Sequence, residues 1–283
     1  MRRWIVGMAL AVVAAGCAGP VPADKRAREI LARYDEAVRA VGDGPRFVPA
    51  GPLTDYAGAL EERNEQYQDG IGAGLLEAVG ALPGKPEQTG QVTWRSGDAI
   101  AVPLIGAPEA LGRVNGEGVA SACPGCAPVP VTGARLTTVP IATSRGVASV
   151  PAWEFTLADS AFRVTRVAVA DSAAVRYTPP AGSSGAPAAE SATLAGNALT
   201  VTFTGAEGPA SETCGADYTA RTVESPNAVV VVISAKKHRW GFDSCDAVGH
   251  ARTATVELAE PLGERPVLDV EYGMPVPLEV GPR

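Results

Sequence analysis

The chain has 283 residues, with 24 Lys and Arg against 31 Asp and Glu and a formal net charge of −7. That length supports one large or two small domains with a real core, so disulfides need not carry the fold. The acidic balance excludes general nucleic-acid binding, which needs a basic face, and an aromatic share of 5% argues against a ring-lined sugar platform.

Arg2 and Arg3 form a short basic start, and Ile5 to Ala15 is an almost unbroken apolar run. The run is too short to span a bilayer, which takes about 20 residues. Basic start, short apolar segment and small residues before a cleavage point describe a secretory signal over residues 1–16. Ala14-Ala15-Gly16-Cys17 resembles the bacterial lipobox. That resemblance implies cleavage before Cys17 and diacylglycerol on its thiol. It departs from the pattern at Ala14, where Leu is usual, and a plain signal peptide cut nearby is the alternative. Residues 17–23, with Pro20 and Pro22, cannot be helical and read as a tether.

Asp24 to Val41 predicts a helix, with Ile30, Leu31, Tyr34, Val38 and Val41 on one stripe. Arg26, Arg28, Glu29, Arg33, Glu36 and Arg39 fall mostly off it; Asp24 is the expected N-cap, and Gly42 and Gly44 end the helix. Phe47 to Pro52 reads as extended. Leu60 to Gln68 is helix-compatible and broken by the glycines of residues 70–74; Leu75 to Leu82 reads as a second short helix, stopped at Pro83-Gly84. Gln91 to Arg95 and Ile100 to Leu104 form a hairpin signature around Ser96-Gly97-Asp98. Ala107 to Val114 suits a two-turn helix with Pro108 at its start.

From Pro128 the pattern is that of strands: Arg135 to Thr143, Val147 to Leu157, Arg163 to Ala170, Leu199 to Phe203, Thr219 to Val223, Ala228 to Ile233, Thr253 to Leu258 and Val267 to Tyr272. Ser144-Arg145-Gly146 is a hairpin turn. The apolar run Ala228 to Ile233 reads as a strand buried on both faces. The low-complexity stretch "TPPAGSSGAPAA" within residues 178–190 is either an interdomain linker or a long loop of one sandwich. The expected fold class is α+β: a small helical and β N-terminal region over 24–116, then a β-rich, sandwich-like body in units 117–177 and 191–283.

Beyond Cys17 there are four cysteines, Cys123, Cys126, Cys214 and Cys245. An even number in an exported chain reads as two disulfides. Of the three pairings, Cys123–Cys126 with Cys214–Cys245 keeps each bridge within one stretch of chain. The second would close a loop of about 30 residues, worth roughly 3–4 kcal/mol.

Cys123-Pro124-Gly125-Cys126 has redox-motif spacing, yet the proline-rich residues after it cannot open the helix that would stabilise a thiolate. A small structural disulfide loop is expected there rather than a redox or zinc centre. Ser234-Ala235-Lys236-Lys237 matches the start of the penicillin-binding signature without its partner motifs, so it reads as chance. His238 and His250 are the only histidines. His238 lies in a charged run between strands, where Lys236, Lys237, His238 and Arg239 beside Trp240 and Phe242 offer a contact surface for anionic envelope polymers or lipid headgroups. The acidic stretch Glu61, Glu62, Glu65 and Asp69 fails the calcium-loop spacing and reads as a solvated face. Trp153 alternates with Phe155 and Leu157 and reads as core. No catalytic residue, metal site or cofactor motif emerges.

"VTGARLTTVPIATSRGVASVPAWEFTL", "CGADYTARTVES" and "RTATVELAEPLGERPVLDVEYGMPVP" resemble a group of uncharacterised lipoproteins of high-GC Gram-positive bacteria, over roughly residues 90–280. The resemblance implies a lipobox, a Cys-x-x-Cys before "VTGARL" and a later cysteine pair, and supplies no activity. The expected function is that of a lipid-anchored extracytoplasmic envelope protein, a non-catalytic binding or interaction module. Its partners would be the membrane through its lipid and an envelope protein or anionic polymer. The alternatives are a hydrolase-like envelope enzyme and a transporter-linked solute receptor. The receptor ranks lower because the chain lacks the strand–helix alternation of two doubly wound lobes.

Overall fold

In the computed structural model, residues 21–61, 66–119, 121, 123–238, 245 and 248–279 are described. Helix α1 (Ala23–Val41) buries Ile30, Leu31, Tyr34 and Val38 as one stripe, and Gly42 ends it at φ 84°. Two expectations for this helix are corrected. Pro22 holds the N-cap place without a side-chain cap, so Asp24 lies in the first turn, where the helix dipole favours it and Arg221 pairs with it at 2.6 Å. Arg26 is buried rather than solvent-facing, at 2% exposure, because its guanidinium donates to four backbone carbonyls.

The first half of the chain then forms β1 (Thr54–Ala57), α2 (Tyr67–Gly72), β2 (Leu76–Ala78), β3 (Gly90–Trp94), β4 (Ala99–Val102) and α3 (Ala107–Glu117). It continues into β5 (Val129–Thr143), β6 (Gly146–Leu157) and β7 (Arg163–Val167). These seven strands make one sheet, ordered β1-β7-β6-β3-β4, with β5 paired to β6 and β2 to β5. The β5–β6 hairpin pairs almost end to end across the expected turn, which Gly146 makes possible at φ 90°. Val92, Trp94, Phe155 and Leu157 fill the core, covered by Leu111 and Val114 of α3.

Residues 75–82 are not the expected helix. Leu76 pairs with Val129 in a parallel ladder. Asn115 takes both backbone groups of Leu76, its Oδ1 accepting from the N–H at 3.0 Å and its Nδ2 donating to the carbonyl at 2.8 Å. A helix would have needed those groups for itself. The residues expected to interrupt, Gly70 to Gly72, instead complete α2.

The remaining strands are β8 (Ala189–Ala195), β9 (Ala198–Gly205), β10 (Ala216–Glu224), β11 (Val229–Lys237), β12 (His250–Glu257), β13 (Val267–Asp269) and β14 (Leu278–Glu279). They form a three-stranded sheet β10-β11-β13 and a four-stranded sheet β12-β9-β8-β14. Strand β11 is the hub. Val230 and Val232 pack under α1 with Ile30, Tyr34 and Leu268, while Val229, Val231 and Ile233 face Leu199, Val201 and Phe203 of the second sheet. Alternation in a strand sends successive side chains to opposite faces, so "VVVVI" serves a helix on one side and a sheet on the other. The molecule is therefore α+β, with a β-rich body and a helix at its start. Residues 178–188 run along α1, and their carbonyls and hydroxyls meet Arg26 and Glu271. Among the described residues no helix is long and apolar enough to cross a membrane.

Candidate functional site

Four parts of the fold meet at one cleft of about 230 Å³. Helix α1 contributes Tyr34 and Val38, the segment after it Arg46 and Val48, the first sheet Trp94 with the Ser144-Arg145 turn, and the C-terminal part residues 226–227 and 264–266.

Thr143 fixes the turn. Its hydroxyl donates to the Gly146 carbonyl at 2.6 Å and accepts from the Trp94 indole at 2.9 Å and the Arg145 N–H at 3.1 Å. The Arg145 guanidinium lies 4.3 Å from the Trp94 ring centroid and pairs with Asp98 at 3.0 Å and Glu264 at 3.6 Å. On the opposite wall Arg265 pairs with Glu224 at 2.9 Å and donates to the carbonyls of Glu260, Pro261, Leu262 and Ser225. Asn227 is held by Asp35 at 3.0 Å. These groups are occupied in shaping the cleft.

Three donors are not. Tyr34 is 1% exposed, and its hydroxyl bonds to no protein group among the described residues. Its ring meets Tyr177 edge-on at 5.3 Å. Burial pushes the Tyr34 phenol well above its usual range, with the nearby Arg46 charge opposing, so it stays protonated and a donor. Ser144 is 5% exposed; its N–H donates to the Val48 carbonyl at 3.0 Å, and its hydroxyl is unpartnered among the described residues. Arg46, half-buried, has neither ion pair nor hydrogen bond among them. Val38, Val48, Pro226 and Pro266 supply apolar wall.

A second, open groove of about 700 Å³ is lined by Tyr56, Leu60, Ile71 and Phe162 beside edge strand β1. Tyr56 is 47% exposed and stacks on Phe162 at 6.2 Å.

The residues singled out in the sequence lie elsewhere. Cys123 and Cys126 are bridged, as are Cys214 and Cys245, each with Cα atoms 5.6 Å apart. The Asp69 carboxylate lies within 4.8 Å of the Cys123 and Cys126 sulfurs. Those sulfurs are in a disulfide, not the thiolate form that ligates metals. The expected loop of Lys236 and Lys237 is corrected: β11 continues to Lys237, because β10 offers Asp217 and Ala216 as partners. Both lysines are exposed, and His238 is tied by its Nδ1 to the Ala210 carbonyl at 2.8 Å. Arg239, Trp240 and Phe242 lie outside the described residues, as do Cys17, Glu62 and Glu65. Ser234 sits within β11 opposite Thr219, not at a helix start. Trp153 is core, its indole donating to the Ile105 carbonyl at 2.9 Å.

Sequence reasoning placed Tyr34 on the buried stripe without seeing that its hydroxyl would open onto a cleft. Arg46 and Ser144 carried no signal, since only the approach of distant segments makes them neighbours. Comparison of the chain with models of known families, with curated proteins and with solved structures gives no match.

Proposed function

We propose that this chain is a lipid-anchored extracytoplasmic binding module of the cell envelope, tethered through Cys17, with the cleft beside Tyr34 and Arg46 as its ligand site. The lipobox-like Ala14-Ala15-Gly16-Cys17 supports the anchor. The two disulfides support an oxidising compartment. The observation that carries the binding role is the meeting at one cleft of three donors, on Tyr34, Ser144 and Arg46, that bond to no protein group among the described residues. A ligand accepting from all three would satisfy donors that the fold leaves facing the cleft.

Two measurements test the reading. Metabolic labelling with palmitate should mark the wild type and not Cys17→Ala; equal labelling rules out the anchor. A thermal-shift screen of small polar molecules against the purified chain should raise Tm with some compounds and lose the effect in Arg46→Gln. A screen in which no compound shifts the wild type removes the cleft's role.

The exposed pair Lys236 and Lys237 favours a second surface for anionic polymers or headgroups. Lys236→Ala/Lys237→Ala should then weaken sedimentation with phosphatidylglycerol vesicles; unchanged sedimentation removes that surface.

A further inference from the structure

We infer that the ligand of this cleft is a small organic carboxylate with an apolar body; the inference rests on the binding reading above and names its ligand class. Three groups at the cleft that bond to no protein group among the described residues can donate: a planar guanidinium on Arg46, a phenol on Tyr34 and a hydroxyl on Ser144. Their natural complement is a group made of acceptors. A carboxylate offers two oxygens in the plane that a guanidinium fork engages bidentately, and its remaining lone pairs suit the two hydroxyls.

Charge points the same way. Around the cleft Asp98 and Glu264 are paired to Arg145, Glu224 is paired to Arg265, and Asp35 accepts from Ser225 and Asn227. Four carboxylates thus stand against three lining guanidiniums, so the case for an anion is local: Arg46 is the lining cation left without a counter-ion among the described residues, and the anion would sit at its guanidinium.

Shape distinguishes an organic acid from a bare ion. Val38, Val48, Pro226 and Pro266 form an apolar wall that hydrated inorganic phosphate would leave unused. At about 230 Å³ the cleft falls below the roughly 300–1,000 Å³ of sites for drug-sized ligands, which limits the acid to a small one.

The test is calorimetric titration of the full mature chain with sodium benzoate, benzamide and inorganic phosphate at matched ionic strength. Benzoate should bind saturably. Benzamide, the same shape without the charge, should bind at least about tenfold more weakly, because the guanidinium then loses its charge-assisted bonds. Arg46→Gln should lose about tenfold or more in benzoate affinity, and Arg46→Lys should retain part of it, since charge remains without the fork. Near-UV circular dichroism shows whether each variant keeps its fold, and Tyr34→Phe, whose ring packing is unchanged, gives a second variant expected to weaken benzoate. Absence of saturable benzoate heat up to about 10 mM, where even a millimolar site would fill, overturns the inference. So does equal affinity for benzamide, benzoate affinity untouched by Arg46→Gln, or phosphate binding in benzoate's place. A neutral compound that raises Tm in the wild type but not in Arg46→Gln would leave the binding role standing while this ligand class fails.

Discussion

Arg26 Nε donates to the Val270 carbonyl at 2.8 Å, joining the first turn of α1 to the residue after β13 across 244 positions of sequence. The same guanidinium donates to Pro180, Ala181 and Glu271 carbonyls at 3.1, 3.1 and 2.8 Å. One buried cation thus closes helix, loop and final strands against one another. Arg26→Leu removes it and leaves buried carbonyls without a donor. Each such orphan costs about 1–3 kcal/mol, so the variant should lose about 3–5 kcal/mol. A urea midpoint lowered at unchanged m-value checks this; a midpoint within error of wild type would show the carbonyls to be satisfied another way.

Tyr34→Phe should act in the opposite direction. It keeps the ring against Tyr177 and removes a hydroxyl that faces the cleft and bonds to no protein group among the described residues. The expected change is a gain of up to about 1 kcal/mol, of the size associated with relieving an unsatisfied polar group. A higher Tm accompanied by weaker ligand binding would mark this residue as one where stability is given up for function.

The two disulfides should differ in worth. Cys214–Cys245 closes a separation of 31 residues and Cys123–Cys126 one of 3. Loop-closure entropy then assigns about 3.7 kcal/mol to the first and about 2 kcal/mol to the second. Paired Cys→Ala variants compared by denaturant unfolding should show the larger loss for Cys214/Cys245.

Glu271 sets an acid limit. Burial alone would raise its pKa, but the Ser183 and Ser184 hydroxyls and the Ser184 and Gly185 N–H groups outweigh that and hold it below its usual range. A carboxyl with a depressed folded pKa contributes stability above its unfolded pKa and loses it as pH falls through the folded value. Wild type should therefore lose stability as pH falls below about 4. Glu271→Gln should be less stable than wild type at neutral pH and should show a shallower loss over the same acid range. Parallel acid profiles for the two proteins would remove Glu271 from the account.

Where one face of an element meets one neighbour, periodicity was enough to read the fold. The stripe of α1, the β3–β4 hairpin, α3 with its early proline and the long β5–β6 hairpin all follow from local pattern. Strand β2 was illegible because Asn115, 39 positions away, satisfies the backbone of Leu76. Arg26 misled through its charge: it stands four residues before Ile30, at the spacing of the buried face, yet a cation there looks solvent-exposed until its carbonyl partners are known. The site was harder still. Tyr34 lay on a legible stripe, but Arg46 and Ser144 become a site only when a post-helix segment and a hairpin turn arrive at the same place.

The seating of α1 on β11 and β13 has a consequence for biogenesis. A chain synthesised amino end first exposes α1 long before the strands that bury it exist. That helix must wait, apolar stripe uncovered, until residues near 270 have followed. Assembly is thus a closing event governed by the last segment delivered, and a chain truncated before β11 leaves α1 with nowhere to dock.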